Sequence, residues 1–326
     1  MMTDKLSFAL AQLNPTVGDI AGNISKLREI RKKAAAAGAH LVIATELYVS
    51  GYPAEDLVLK PSFQKAVHAA VENLAQDTAD SGPAILVGAP WRENDRLYNA
   101  ALLLDGGRIA AKVFKRDLPN YGPFDEKRVF TSAALPEPVS FRGVKLGVLV
   151  CEDNWTPAAA GHLGKQGAQI LVVPNGSPYE TAKHAWRQDI SHARIRETGL
   201  PLVYVNQVGG QDELVFDGGS FVLDAGGRCM AQAASWAEDM LITHWSRTGG
   251  VLAPEAGDMK PVPAGEAAMY HALVLGLRDY VNKNGFPGLL LGLSGGIDSA
   301  LAAVIAADAI GADRLWTVML PSPYTS

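Results

Sequence analysis

Short apolar runs alternate with helical patterns along the chain as far as about residue 245. Runs rich in Val, Ile and Leu predict strands. They lie at Leu6–Leu13, Leu41–Leu47, Ala84–Ala89, Leu97–Leu104, Arg108–Phe114, Val144–Val150, Ile170–Pro174 and Leu202–Val208, followed by a strand-rich stretch at Ser220–His244. Apolar residues spaced three and four apart predict helices at Ile24–Ala37, Ser62–Ala79, Pro157–Gln166 and Thr181–Thr198. This alternation predicts an α/β domain with helices covering a sheet, and it leaves open whether the sheet is single or a packed pair.

The pattern changes after residue 245. Residues 246–264 are rich in proline and glycine and lack periodicity, which predicts a linker. A helix from Gly265 to Asn284, a strand at Leu289–Leu293, a helix at Ala300–Ile310 and a strand at Leu315–Leu320 follow. One βαβ unit cannot cover both faces of its own sheet. We therefore predict a first domain over residues 1–245 and the incomplete start of a second over residues 265–326.

Charge and cysteine content exclude several kinds of partner. The formal net charge of the chain is −5 and lysine and arginine do not cluster, which argues against a nucleic-acid partner. The chain has 2 cysteines, too few for a disulfide framework. Its first residues lack the apolar core of a signal peptide, and no run approaches the ~20 apolar residues that a membrane span needs. These features predict a cytoplasmic protein without a membrane partner.

Three potentially reactive side chains follow three predicted strands. Cys151 comes directly after Val144–Val150 and precedes a helix that begins near Pro157, whose dipole favours the reactive thiolate. Glu46 lies where the second strand leaves the core, a position suited to a general base. Lys115 follows a third strand and supplies a cation. Taken singly, Cys151 fits a buried small thiol as well as a nucleophile, whereas Glu46 and Lys115 fit a surface glutamate and a solvated lysine better than functional groups.

Taken together, the three residues resemble the nitrilase superfamily, in which glutamate, lysine and cysteine occur in this order. The matching motifs are Thr45-Glu46-Leu47, Lys115-x-x-Leu118-Pro119 and Cys151-Glu152-Asp153-Asn154-Trp155. Two further segments, Leu118–Arg128 and Asn175–Tyr179, look like the glutaminase domain of NAD⁺ synthetases. The resemblance covers about residues 5–245 and implies a nitrilase-like α-β-β-α sandwich.

The resemblance also implies roles for individual residues. Cys151 would be the nucleophile of a route through a thioester, with Glu46 as the general base. Lys115, with the backbone N–H of Glu152, would stabilise the oxyanion. Glu126 matches an additional glutamate near the cysteine and would have a supporting, positioning role.

Binding residues for the amide substrate are predicted as well. The glutamine-binding candidates are Tyr121, Ser177 and Arg187, the last of which would reach the substrate carboxylate. Residues that would shape the pocket are Asn154, Trp155, His184 and Asn206. Cys229, in a hairpin-like context after two glycines, is interpreted as structural.

A second motif follows the strand Leu289–Leu293 and has the sequence Ser294-Gly295-Gly296-Ile297-Asp298-Ser299. Its glycines let backbone N–H groups approach an anion, and the helix behind it adds its dipole. The motif differs from the Walker P-loop in spacing and ending. It resembles the pyrophosphate-binding loop of the ATP pyrophosphatase family, as does the following segment, Val318–Ser326. The resemblance implies the start of a doubly wound α/β domain, with ATP bound by Ser294, Gly295, Gly296, Asp298 and Ser299.

The two resemblances together imply one overall reaction. Glutamine hydrolysis would supply ammonia for the ATP- and Mg²⁺-dependent amidation of nicotinic acid adenine dinucleotide, a ligase step of NAD biosynthesis. We expect the 326 residues to perform only the glutaminase half, which needs no cofactor, to hold no metal, and to associate into homo-oligomers.

Two other functions compete with this one. The first is a stand-alone nitrilase-type amidase acting on another small amide, which the Ser294–Ser299 motif argues against. The second is a non-catalytic assembly or regulatory subunit. The joint presence of Glu46, Lys115 and Cys151 argues against the second.

Overall fold

A computed structural model describes residues 5–248, 251–319 and 321. Its helices are α1 (Ile20–Ala36), α2 (Pro61–Asp77), α3 (Glu126–Val129), α4 (Pro157–Lys165), α5 (Lys183–Thr198), α6 (Gly265–Lys283) and α7 (Ile297–Ile310). Its strands are β1 (Lys5–Gln12), β2 (Leu41–Ile43), β3 (Ala84–Glu93), β4 (Arg96–Asp105), β5 (Arg108–Phe114), β6 (Val139–Phe141), β7 (Val144–Val148), β8 (Ile170–Asn175), β9 (Leu202–Asn206), β10 (Val208–Gln211), β11 (Leu214–Asp217), β12 (Phe221–Leu223), β13 (Cys229–Gln232), β14 (Asp239–Thr248), β15 (Val251–Pro254), β16 (Leu289–Gly292) and β17 (Leu315–Val318).

Two mixed sheets form the main body. The first has the order β15-β14-β1-β2-β3-β4-β5 and the second has the order β13-β12-β9-β8-β7-β6. In the first sheet β2 and β3 run parallel. Strand β4 is antiparallel to both β3 and β5, so β5 runs in the same direction as β2 and β3. In the second sheet β7, β8 and β9 run parallel. Parallel strands end at the same edge of their sheet, which brings the segments after them together.

The two sheets pack face to face around the main core. Leu6 and Phe8 of β1 join Val172 of β8 in a buried cluster between the sheets. Ala9 alternates with them and contacts the helical layer, in a cluster with Leu27 of α1. Both faces of the strand are therefore buried, which explains its nearly continuous apolar sequence.

Helices cover the outer face of each sheet. The apolar residues of α1 and α2 cluster with the first sheet, and those of α4 and α5 cluster with the second. The result is the α-β-β-α sandwich that the nitrilase resemblance implies, so the predicted fold class is confirmed.

The carboxy-terminal part contains α6, β16, α7 and β17. Strands β16 and β17 pair in parallel, with α7 between them in the chain. Helix α6 packs against both α7 and the β10–β11 hairpin. In the described part of the chain, none of the helices is both long and apolar enough to cross a membrane.

Some elements differ from the sequence-based prediction. The predicted strand Leu202–Val208 is two strands, because the chain leaves the second sheet at Gln207 and β10 pairs with β11 instead. Residues 251–254, predicted as linker, form β15 on the edge of the first sheet, where Leu252 is buried. Helix α7 begins at Ile297 rather than Ala300, directly after the glycine pair. Leu320, the last residue of the predicted final strand, lies outside the described residues.

Candidate active site

The predicted catalytic residues lie in segments that leave the carboxyl ends of strands from both sheets. Glu46 follows β2, Lys115 follows β5, and Cys151 comes shortly after β7. Ser177 follows β8 in the second sheet. The two sheets face each other, so these strand ends border one buried space between them.

Glu46 is a buried carboxylate held through both of its oxygens. Its Oε1 accepts hydrogen bonds from Lys115 Nζ at 2.6 Å and from Asn99 Nδ2 at 2.8 Å. Its Oε2 accepts one from the backbone N–H of Gly176 at 2.9 Å. A carboxylate with these fixed partners is oriented for proton transfer.

The turn that carries Glu46 packs tightly on β3. A Cβ atom at Gly88 would lie 2.3 Å from the carbonyl oxygen of Thr45 and 2.4 Å from the backbone nitrogen of Leu47. Any larger residue at position 88 would displace this turn. The absence of a side chain there therefore fixes the depth at which Glu46 enters the pocket.

Lys115 is a fully buried cation between two carboxylates. Its Nζ lies 2.6 Å from Glu46 and 2.9 Å from Glu126, and its side chain is 0% exposed. Burial alone would lower the pKa of Lys115, but the charges of Glu126 and Glu46 outweigh it and hold that pKa well above its ordinary value. Lys115 is therefore positively charged throughout the neutral range.

Cys151 lies on a strained turn at the tip of the second sheet. Its φ of +46° is in the left-handed region, which is uncommon for a residue other than glycine. The carboxylate of Asp153 holds the turn by accepting hydrogen bonds from the backbone N–H groups of Val150, Arg116 and Asp117. Because the last two residues follow Lys115, Asp153 ties the nucleophile's turn to the segment that supplies the cation.

The electrostatic environment of Cys151 corrects one sequence-based expectation. Burial and the nearby Glu46 carboxylate raise the pKa of the Cys151 thiol well above its usual value, although Lys115 opposes them. Helix α4 begins only at Pro157, after a separate 3₁₀ turn at Cys151–Asn154, so its dipole does not produce a resting thiolate. The raised pKa favours the protonated thiol, so a nucleophilic role for Cys151 would require an adjacent base.

Glu126 is the second carboxylate that binds Lys115, and Asn99 Nδ2 lies within 3.5 Å of it as well. Its carboxylate accepts hydrogen bonds from Lys115 Nζ at 2.9 Å and from the hydroxyl of Tyr52 at 3.1 Å. Burial raises the pKa of Glu126 to about 7, although Lys115 acts against it. Glu126 touches the cation directly, a position that suits the predicted supporting role.

Tyr121 and Glu152 lie at the mouth of the site. The Tyr121 hydroxyl donates to the Glu152 carboxylate at 2.9 Å, and the tyrosine side chain is 52% exposed. Both line a cavity of about 610 Å³, which also contacts Arg116 and Lys127. The cavity therefore reaches the neighbours of Lys115 and Cys151 and is bordered by charges of both signs.

Ser177 and Arg187 are buried deeper, and the arginine differs from its predicted role. Arg187 donates hydrogen bonds from Nε to the Ser177 hydroxyl and from Nη1 to both carboxylate oxygens of Asp217. Its Nη2 donates to the backbone carbonyl oxygens of Ser177 and Pro178. All five guanidinium donors are thus occupied inside the protein. None is left for a substrate carboxylate, so the predicted direct contact is wrong, and Arg187 instead fixes the segment that carries Ser177.

The other pocket candidates have mainly structural partners. Asn206 accepts from the Ser177 N–H at 3.0 Å, and the Asn154 carbonyl accepts from Arg194. Lys183 lies over the ring of Trp155, and His184 contacts the ring of Phe221. The thiol of Cys229 contacts the Ala231 carbonyl oxygen on β13, away from the catalytic cluster, as its structural interpretation expects.

Sequence reasoning missed three residues that hold the site. Asn99 and Tyr52 bind the two buried carboxylates, and Asp153 anchors the cysteine turn. Asn99 is a polar residue inside the apolar run Leu97–Leu104, and that interruption was a detectable signal. Asp153 lay inside a motif already recognised.

The Ser294–Ser299 loop lies between β16 and α7. Gly295 has a φ of +85°, and the Ser294 and Ser299 hydroxyls lie 3.0 Å apart. The loop side chains are largely exposed at the amino terminus of α7. Across residues 5–248, 251–319 and 321, no group of three or more His, Cys, Asp and Glu side chains is arranged to hold a metal ion.

Known proteins resemble the chain over its whole length. The carbon-nitrogen hydrolase profile matches residues 7–249, and the NAD synthase profile matches residues 269–326. The glutamine-dependent NAD(+) synthetase of Rhodobacter capsulatus is 46% identical over 325 residues, covering 100% of this chain and 59% of that protein.

Solved structures give the same result. The glutamine-dependent NAD+ synthetase from Acinetobacter baumannii in complex with adenosine diphosphate matches with a TM-score of 0.92 at 40% identity, covering 99% of this chain and 60% of that chain. An amidase from Nesterenkonia sp. matches with a TM-score of 0.65 at 27% identity, covering 73% of this chain and 89% of that chain.

The predicted resemblance to the glutaminase domain and to the synthetase segment of NAD⁺ synthetases is thus confirmed. The amidase match covers a smaller share of this chain than the synthetase match does. The chain spans less than two thirds of the matched synthetases, at 59% of the Rhodobacter protein. Because the hydrolase profile takes in residues 7–249, most of the sequence, this chain belongs to the carbon-nitrogen hydrolase family.

Proposed function

We propose that this chain hydrolyses the side-chain amide of glutamine and is the ammonia-generating part of a glutamine-dependent NAD⁺ synthetase. One observation carries the proposal: Glu46 and Lys115 form a buried pair at 2.6 Å, and their charges both act on the Cys151 thiol. Burying such a pair requires desolvation of two charges, and perturbed buried charges of this kind cluster at functional sites. The Rhodobacter capsulatus relative, 46% identical, is named a glutamine-dependent NAD(+) synthetase.

The geometry supports a two-step reaction. Glu46 takes the Cys151 proton as the sulfur attacks the amide carbon, and it then gives that proton to the departing ammonia. The resulting thioester is attacked by a water molecule that Glu46 deprotonates, which releases glutamate and restores the thiol. Proton transfer by such a base typically contributes about 10²–10⁴-fold to the rate.

Lys115 would stabilise the negative charge that develops on the substrate oxygen. Its position is fixed before the reaction by Glu46 and Glu126, so no reorganisation is needed in the transition state. The backbone N–H of Glu152 is the second proposed donor. Each donor of this kind is worth about 3 kcal/mol of transition-state stabilisation.

The cavity walls suit an amino-acid substrate. The Glu152 carboxylate and the Tyr121 hydroxyl offer acceptors for an α-ammonium group, and Lys127 offers a positive charge for an α-carboxylate. Ser177, the other proposed glutamine-binding residue, is buried and held by Arg187 and Asn206. Lys127 thus takes over the contact that the sequence assigned to Arg187.

The synthetase half of the reaction rests on the carboxy-terminal loop. We propose that Ser294, Gly295, Gly296, Asp298 and Ser299 receive ATP phosphates, since the positive φ of Gly295 and the amino terminus of α7 suit an anion. Mg²⁺ would accompany ATP. Amidation of nicotinic acid adenine dinucleotide would need the remainder of the synthetase fold, of which the matched NAD synthase segment, residues 269–326, is a part. A cytoplasmic location and homo-oligomer formation stay predictions.

Replacement of the nucleophile tests the hydrolase function. We expect Cys151→Ala to reduce ammonia release from glutamine by at least about 10³-fold, because no thioester forms without the sulfur. Cys229→Ala is the matched control and should stay within about twofold of wild type. Trapping of glutamyl thioester on Cys151 by mass spectrometry is the second readout. Equal activity of wild type and Cys151→Ala would refute the proposal.

A substrate panel separates this function from a stand-alone amidase. If the charged cavity walls recognise the amino-acid end, glutamine should exceed propionamide in kcat/KM by about 100-fold or more, the size of one or two charged contacts. Acetamide and butyramide complete the panel. A preference for the simple amides would establish the amidase alternative.

A further inference from the structure

Helix α6 and the β10–β11 hairpin pack through two glycines. A Cβ atom on Gly210 of β10 would lie 2.9 Å from the Cα atom of Gly276 on α6. A Cβ atom on Gly276 would lie 2.8 Å from Cγ2 of Val215 on β11. The helix backbone and the hairpin are therefore in direct contact, and neither position has room for a methyl group.

Two charged residues of α6 hold the same strand. Asp279 Oδ2 accepts hydrogen bonds from the Gly210 N–H at 2.7 Å and from Asn14 Nδ2 at 2.6 Å. Lys283 Nζ donates to the carbonyl oxygens of Gly210 at 2.8 Å and Pro15 at 2.9 Å. One turn of helix thus satisfies both backbone groups of Gly210, and Asp279 is only 6% exposed.

The opposite side of the hairpin contacts the segments that carry Ser177 and Tyr52, two residues of the candidate site. The Tyr179 N–H donates to the Val215 carbonyl oxygen at 2.7 Å. Asp217 binds Arg187, which holds Ser177. Next to Asp217, the ring of Phe216 meets the ring of Tyr52 at 6.2 Å, and Tyr52 donates to Glu126. The hairpin therefore lies between α6 on one side and the Ser177–Tyr179 segment and Tyr52 on the other.

A second contact joins α6 to the same wall. His271 of α6 stacks on Trp236 with ring centroids 6.2 Å apart. Trp236 meets the ring of Tyr179 edge-on at 4.9 Å. Both routes end on the segment Ser177–Tyr179. The turn that carries Cys151 is held by Asp153, whereas Glu46 accepts a hydrogen bond from Gly176, directly before that segment.

We propose that α6 positions the amide substrate in the hydrolase pocket by pressing the β10–β11 hairpin against the Ser177–Tyr179 segment. Gly276 and Asp279 are then positioning residues that act through the hairpin, and they touch no reacting atom. Most of α6 falls inside residues 269–326, the NAD synthase match. Substrate binding in the hydrolase therefore depends on a helix of the synthetase segment. This inference rests on the glutaminase function proposed above.

The main test inserts one methyl group. Gly276→Ala pushes the hairpin while raising helix propensity, and Gly161→Ala on α4 is the matched control because its Cβ meets nothing within 4 Å. We expect Gly276→Ala to raise KM for glutamine by about fivefold or more, since substrate positioning is lost. Alkylation of Cys151 by iodoacetamide, measured in a Cys229→Ala background, should stay within about twofold, because Asp153 holds the Cys151 turn without a contact to the hairpin.

Asp279→Ala is the second variant, with Asp308→Ala as its control. Asp308 accepts a hydrogen bond from Tyr270 of α6 at 2.6 Å but does not contact the hairpin. Asp279→Ala should raise KM and speed amide hydrogen exchange in residues 208–217 and 176–180, and Asp308→Ala should do neither.

Three outcomes would overturn the inference. They are an unchanged KM, an equal effect in the control variants, and a joint loss of Cys151 alkylation and thermal stability, which indicates general unfolding. If the wild-type chain releases no ammonia from glutamine, the proposed function fails by itself. Hydrogen exchange then decides the positioning role, because unchanged exchange at residues 176–180 in Asp279→Ala refutes it.

Discussion

The hydrolase centre and the Ser294–Ser299 loop differ in how their polar groups are satisfied. Glu46 and Lys115 are 0% exposed and bind each other, Asn99, Glu126 and the Gly176 backbone. The loop is largely open to solvent, and the bonds of Ser294 and Ser299 connect it mainly to itself. The polar groups of the first region have their partners before any substrate binds. The second region presents exposed backbone groups, whose hydrogen bonds a bound ligand would supply.

This difference decides how each region should respond to substitution. A buried charge network stores a large interaction energy, so removal of one member leaves uncompensated charges in a dry environment. An exposed loop exchanges its lost hydrogen bonds for water. Stability and catalysis should therefore be coupled at the hydrolase centre and separate at the loop.

The largest effect is expected at Lys115. Lys115→Met keeps most of the side-chain volume but leaves Glu46 and Glu126 buried without their cation. Breaking a buried pair in this way costs about 3–5 kcal/mol of unfolding free energy. Urea unfolding at pH 7 measures this loss, and glutamine hydrolysis should fall below detection because the oxyanion has lost its fixed charge.

A double variant separates the two effects of Lys115. Lys115→Met combined with Glu126→Gln removes one of the stranded carboxylates, so part of the stability should return while activity stays absent. If Lys115→Met lowered the free energy of unfolding by less than about 1 kcal/mol, the buried pair would resemble an exposed one. The contrast with the loop would then be lost.

The contrast between the buried charge network and the exposed loop can also be tested at Glu126, through the pH dependence of the free energy of unfolding. Burial raises the pKa of Glu126 from 4.5 to about 7. The folded protein thus holds the Glu126 proton more tightly than the unfolded chain does. The resulting gain in the free energy of unfolding is complete below pH 4.5 and is lost as the pH rises through about 7. Relative to wild type, Glu126→Gln should become more stable between pH 5 and pH 8, by on the order of 3 kcal/mol at most.

Chemical unfolding at several pH values checks this sign. Glu72→Gln, on the exposed face of α2, reports the effect of the same substitution outside the cluster. A difference between wild type and Glu126→Gln that did not change with pH would mean that Glu126 stays ionised beside Lys115.

The sequence indicated the three candidate catalytic residues but not the contacts that hold them. Glu46, Lys115 and Cys151 were placed together by the nitrilase resemblance, whereas their positions after strands of two different sheets appear only in the structure. Asn99 could not be paired with Glu46, because that contact depends on the register of β4 against β3, which apolar patterning leaves undefined. The β10–β11 hairpin was not predicted, although the missing side chain of Gly210 is what gives α6 room to pack against it.

Arg187 illustrates a further limit. From the sequence, its side chain could be free for a substrate or paired inside the protein, and both are consistent with a position on a helix. Asp217, 30 residues away in the chain, decides between them. Long-range partners of this kind set the role of a charged residue, and single-sequence patterns carry no information about them.

A moderate effect is expected at Gly88. Gly88→Ala places a methyl group 2.3 Å from the Thr45 carbonyl oxygen, so the turn that carries Glu46 must move. Overpacking of this kind costs about 1–3 kcal/mol, and a displaced base should lower kcat by about tenfold or more. Steady-state ammonia release and thermal unfolding measure the two effects, with Gly161→Ala as the control. Wild-type kcat in Gly88→Ala would show that the depth of Glu46 is not critical.

The smallest effect is expected at the loop. Ser299→Ala removes the hydrogen bonds with the Ser294 hydroxyl at 3.0 Å and to the Gly296 carbonyl at 3.0 Å, both at an exposed site. The free energy of unfolding should change by no more than about 0.5 kcal/mol, as for exposed Ser62→Ala on α2. Glutamine hydrolysis should stay within about twofold, while calorimetric binding of inorganic pyrophosphate weakens because the loop loses an internal support and a donor. A fall in glutamine hydrolysis as large as that of Gly88→Ala would contradict the separation of the two regions. The loop would then have to act on the hydrolase pocket by a route other than the contacts of α6.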